Sequence, residues 1–385
     1  MGCFGWLRGW QSEGAKKSMV IDSRDYKNLT DYLQHMYQCQ PFERGGIEHP
    51  VTVLYPETWQ VDDVDSLLDP SVPRPEARDF ASYDYAYLHD LQNSKPHLFG
   101  GETFTLKQIR QKPLRLRGAL GSYFDMLATS AALERELRHA AEQGWMRAPS
   151  RSAYHRHVPP EDALLRGIKR SAALGIGTLT VFNDAGVYKA IMARRSQHTA
   201  YDSGMFHVLP AMMFCPTTSG FQDQREWSVR HQVFREFLEE LFGLPEVRNP
   251  ARWDFFYAEP ALQYLNERIA AGEAGLYASG IIINLLTLRP EISTLLLIHD
   301  PAWHARITAP ESDIPLRTAA ETQEGSIVRA PIANDEAFLG HFPPDLHLRM
   351  PAQATATMWL GIDMARQLIN QRRCGMPLAR DSALE

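Results

Sequence analysis

Between Gly220 and Gly243 the chain reads GFQDQREWSVRHQVFREFLEELFG, and no other stretch constrains the fold as tightly. Val229, Val233, Phe237 and Leu241 recur at the helical period, which marks one helix face for burial. Glu236, Glu239 and Glu240 fall at i, i+3 and i+4, so three carboxylates crowd another face. Like charges at that spacing repel and weaken an isolated helix. A hard divalent cation reverses the sign of that interaction, because such ions take oxygen ligands. Two readings follow. One is a solvated acidic face on an ordinary amphipathic helix. The other is a carboxylate platform for a metal ion, held in place by its buried side.

More residues join the pattern. Arg235 directly precedes the first of these glutamates, and Gly220 and Glu226 stand upstream with five residues between them. This arrangement resembles the box of the Nudix family through Gly220, Glu226, Arg235, Glu236, Phe237, Glu239, Glu240 and Gly243. The spacing departs from the family's at both ends. Eight residues, not seven, separate Glu226 from Arg235, and two, Leu241 and Phe242, separate Glu240 from Gly243 where the family has one. Pro210-Ala211-Met212 stands where the family has Pro-Gly-Gly, with loss of the backbone freedom those glycines supply.

The resemblance implies an α/β fold: a Nudix-like α/β/α sandwich with a mixed sheet over residues 171–385. Residues 1–170 then form a helical and irregular N-terminal extension packed on that core. It also implies a metal-dependent hydrolase that cleaves a diphosphate linkage in a nucleoside-diphosphate-linked small molecule. Mg²⁺ or Mn²⁺ would be held by Glu239 and Glu240 first and Glu236 next. Glu226 or one of these glutamates would orient or deprotonate the attacking water, and Arg235 would position a carboxylate. The changed spacing and the missing glycines suit a second function, a Nudix-fold protein that senses a nucleotide or related ligand and cleaves it weakly or not at all.

Composition narrows the partners. The chain has 385 residues, 44% of them apolar, enough for one large or two medium domains. A net charge of −6 leaves no basic surplus for nucleic acid. The four cysteines lie far apart without zinc spacing, as reduced thiols of a cytoplasmic protein do. The longest apolar run, residues 280–288, is too short to span a bilayer, so no membrane is expected. The expected partner is a nucleotide-derived small molecule, with homo-oligomerisation left open. Trp6 and Trp10 are read as a packed cap or a loose end.

Periodicity predicts helices over residues 25–38, 118–145, 161–173, 259–271 and 351–372. Residues 51–115 are proline-broken and irregular, and the acidic run Asp62, Asp63, Asp65 and Asp69 reads as a solvated loop. Residues 96–106 read as a turn followed by an alternating strand. A hairpin is predicted from residues 177–182 and 187–195 around Asn183-Asp184-Ala185-Gly186. A third strand bends at Pro210, and two buried strands cover residues 276–288 and 292–300. Arg194 and Arg195 either clamp a diphosphate, since guanidinium forks match phosphate oxygens, or mark an exposed strand end. Trp303 either stacks on a base or anchors the core.

Overall fold

The computed structural model describes residues 23–56, 63–94, 100–142, 152–195, 204–217, 221, 224–245, 253–309, 311–314 and 325–374. Two short strands, β1 (Phe42–Arg44) and β2 (Ile47–His49), form a hairpin ahead of β3 (Val51–Leu54). A longer hairpin joins β4 (Glu102–Gln111) to β5 (Leu114–Ser122). The remaining strands are β6 (Gly175–Asp184), β7 (Val187–Arg195), β8 (Phe206–Val208), β9 (Ala211–Met213), β10 (Ala274–Asn284), β11 (Arg289–Ile298) and β12 (Gly325–Pro331).

The main sheet runs β12-β7-β6-β11-β10-β3. Only the β6–β11 pair is parallel, so the sheet is mixed. The β6–β7 hairpin pairs over Val181–Asp184 and then splays open. The segment 206–213 fills the opening: β8 pairs β7, β9 pairs β6, and the cis Leu209–Pro210 bond turns the chain between them. The expected third strand is therefore two short strands, each on a different neighbour.

Side chains alternate across the sheet with period two, and the two faces bury different layers. On one face Ile176, Phe182, Ile191, Leu296 and Ile298 pack with Val229, Val233, Phe234 and Phe237. On the other, Leu179, Val181, Met192, Leu295 and Leu297 pack with Met358, Ile362, Ala365 and Leu368 of the helix Ala352–Arg373. This is an α/β/α sandwich with a mixed sheet. Gly361 lets that last helix come down onto Leu179, whose side chain a Cβ would strike.

The N-terminal region is woven into this core. It supplies the edge strand β3, paired with β10. Val64, Leu67, Phe104, Leu106 and Leu116 share a cluster with Val229 and Val233. Several predicted elements change here. The region 51–115 holds β3, the helix Tyr85–Ser94 and β4. The helix expected from residue 118 begins at Tyr123, where Ser122 Oγ caps it by accepting from Asp125 N at 3.1 Å, because β5 keeps residues 114–122 extended. The helix expected over 161–173 is only Pro160–Ala163. Beyond it the backbone bonds to β4 instead, with Ile109 N donating to Leu165 O (2.7 Å) and Leu106 N to Ala172 O (2.9 Å). The strand expected to reach residue 288 stops at Asn284, and Leu288 closes the following turn at φ 56°.

Candidate active site

Ser228 starts the box helix: its extended backbone (φ −147°) leaves Oγ free to accept from His231 N at 3.0 Å. The helix is α from Val229 to Glu236 and π from Phe237 to Leu241. A π turn accommodates one extra residue within a helix. Gly243 closes the helix beyond this turn at φ 63°. Leu244 N then reaches back to Leu238 O at 3.2 Å, one residue further than the bond of a Schellman ending. The wider turn also moves Glu239 and Glu240 from the positions a plain α-helix would give them relative to Glu236.

The carboxylates do not fan into solvent. Arg235 and Glu236 are both only 2% exposed and pair at 3.2 Å. Arg235 Nε lies 4.0 Å from Glu239 Oε1, and Glu239 is the most open of the set at 15%. Glu240 is buried and its Oε2 accepts from Ala211 N at 3.1 Å. That bond brings the acidic end of the helix to β9, at the Pro210-Ala211-Met212 step. Glu226 is fully buried. Its Oε1 accepts from Thr217 N at 3.0 Å and from the Thr217 hydroxyl, and its Oε2 has no hydrogen-bond partner among the described residues. Gln232 donates to the Glu226 carbonyl at 3.1 Å, which fastens this turn to the helix. Gly220 lies outside the described residues.

The other sequence-predicted residues are not gathered with these. Arg194 is exposed, and its guanidinium lies 5.7 Å from the Phe206 ring. It shares strand parity with Ala190 and Met192, which pack under the last helix on the opposite face from the box. The side chain of Arg195 lies outside the described part. Trp303 is 1% exposed and packs on Phe182, with centroids 5.4 Å apart, so it is a core anchor and not an open stacking face.

Asp65 was missed as a solvated loop residue, and the structure corrects that reading. Its Oδ1 accepts from Val229 N (2.5 Å) and Arg230 N (3.3 Å), and its Oδ2 accepts from Ser228 Oγ (2.7 Å). Burial pushes its carboxyl pKa up, while the hydrogen bonds from Ser228, Arg230 and Val229 pull the other way. Trp227 Nε1 donates to Asp69 O at 3.0 Å, its ring stacks on Phe214 at 5.1 Å, and it lies over Gly118 where a Cβ would collide. Phe221 N donates to Glu102 Oε2 at 3.2 Å. Nothing local in the sequence marks Asp65, Asp69, Glu102 or Gly118, because each lies more than 100 residues from the box.

The residues suit a divalent ion in chemistry: hard oxygen donors close together near a strand end. Among the described residues no three His, Cys, Asp or Glu side chains meet at one point. A Mg²⁺ ion, however, is commonly held by one or two carboxylates together with substrate phosphates and water. Glu239 and Glu240 fit that smaller share.

No protein-family model matches the chain, and no curated protein matches it. Among solved structures it is similar to a Nudix hydrolase from Alicyclobacillus acidocaldarius, at 9% identity and a TM-score of 0.28. The match covers 51% of this chain and 95% of that one. At that score the likeness between the two backbones is loose.

Proposed function

We propose that the chain hydrolyses a diphosphate linkage in a nucleoside-diphosphate-linked small molecule, with Mg²⁺ or Mn²⁺ at Glu239 and Glu240. The supporting observation is the clasp of Glu240 on Ala211 N beside the buried Arg235–Glu236 pair. It sets the acidic end of the helix against the start of β9. When bound, the ion offsets phosphate charge and acidifies a water. Glu239, the least enclosed carboxylate, would orient or deprotonate the attacking water. Arg235 pairs with Glu236 in the buried interior, and removing either partner would strand a buried charge. Glu226 ties the loop at Thr217.

The test is turnover of ADP-ribose, nucleotide-sugars and dinucleotides with Mg²⁺ or Mn²⁺, run beside Glu239→Gln. Wild-type turnover should fall at least a hundredfold in the variant. A second reading, ligand sensing without cleavage, is favoured by one observation: the π turn carries Glu239 and Glu240 out of α-helical register with Glu236. Equal thermal stabilisation of both proteins by the same ligands, with no turnover in either, selects that reading.

A further inference from the structure

Asp65 belongs to the 3₁₀ turn Val64–Leu67, more than 150 residues before the box helix, yet it sits at that helix's first turn. The first backbone N–H groups of a helix have no partner within it and carry the positive end of its dipole. Val229 N and Arg230 N are satisfied by Asp65, and His231 N by Ser228, whose own hydroxyl donates to Asp65. The helix start therefore depends on a carboxylate from outside its own segment. That carboxylate is itself fixed. Asp65 N donates to Asp63 Oδ1 at 3.0 Å, and the turn's Val64 and Leu67 are buried in the core beside Val229. Asp69 N donates to Leu116 O at 2.8 Å, which ties the turn to β5. The other end of the same helix carries Glu240, bonded to Ala211 N.

A helix gripped at its start has its axial and rotational position set along its length. We propose that Asp65 is a positioning residue, which holds the carboxylate helix from its N-terminus so that Glu240 stays on Ala211 of β9. Its consequence for catalysis rests on the hydrolase reading. The positioning itself does not.

The experiment is residue-resolved amide hydrogen exchange on the full chain for wild type, Asp65→Ala, Asp65→Asn and Ser228→Ala. In Asp65→Ala, amides of 229–236 and the distant Ala211 amide should both exchange at least fivefold faster, while Leu295 and Leu296 keep their rates. Asp65→Asn retains an acceptor oxygen and should restore most of the protection. Ser228→Ala removes its bond to Asp65 and also its own cap on His231 N, so the Ala211 amide is its readout: faster exchange there as well as at 229–236 supports the proposal if Asp65→Ala does not fold, and acceleration confined to 229–236 overturns it. Unchanged exchange at 229–236 overturns the proposal. So does acceleration at 229–236 with Ala211 unmoved, because a cap that only stabilises its own turn would do that. Mn²⁺ binding, followed by the electron paramagnetic resonance of the free ion, separates the two claims. Faster Ala211 exchange in Asp65→Ala, with no Mn²⁺ uptake by wild type, counts against the hydrolase reading alone.

Discussion

Glu291 shows how one side chain can carry pH dependence. It lies on β11 across β6, where Gly175 and Gly177 leave room for its carboxyl group, with Thr357 of the last helix beside it. Its Oε1 has no partner among the described residues. Burial pushes its pKa up from 4.5 to about 7, against the pull of Arg289. A raised carboxyl favours the protonated folded state, so its stabilising contribution is complete below pH 4.5 and lost as pH rises through about 7. Glu291→Gln should thus match wild type near pH 4 and become relatively more stable up to pH 7, then level off. The difference should reach about 3 kcal/mol at most, by denaturant unfolding across pH. Gly118 makes a steric prediction. Gly118→Ala pushes on Trp227 and should lower stability by about 1–3 kcal/mol, with a change in tryptophan fluorescence as Trp227 leaves its stack on Phe214.

At the level of elements, the box helix depends on its two ends. Gly243 sits at φ 63°, where a Cβ is strained. Gly243→Ala should cost about 1 kcal/mol in chemical denaturation and loosen the Leu244–Leu238 bond first, seen as faster exchange at Leu244. The sequence disclosed much at this scale. The helical period of Val229, Val233 and Phe237 gave the buried face, and Asn183-Asp184-Ala185-Gly186 gave the hairpin between β6 and β7. Residues 118–122 and 164–173 were misread because helical spacing there competes with pairing to β4, and pairing partners are invisible in a local window. The π turn was invisible in the sequence, because apolar spacing over so few residues reads the same through one wider turn. Trp303 offered a base-stacking face or a buried anchor, the anchor being the commoner fate of a tryptophan, and its packing against Phe182 is that of an anchor. Asp65 was unreadable for a stronger reason: its role exists only once a distant helix arrives.

At the level of the whole molecule, the N-terminal region is structural. Arg44 pairs with Asp335 and Asp363 at 2.8 Å each and stacks on Trp359, so the β1–β2 hairpin is tied to the C-terminal helix. Val51 is fully buried with Ile282, Ala356 and Leu360. Val51→Asp would place an unpaired charge among them and should destabilise the protein by about 3 kcal/mol or more, by thermal or denaturant unfolding. A circular dichroism melt that stays cooperative while shifting down would show that β3 unfolds with the rest of the sheet.

The pairing of β3 with β10 also sets a timetable for synthesis. Leu54 leaves the ribosome about 230 residues before its partner Ile281. At ~5–20 residues per second the nascent chain waits on the order of 10–50 s with that apolar strand unmatched. During translation β3 therefore stays open to wrong pairing, and slowing elongation between the two strands would prolong that exposure.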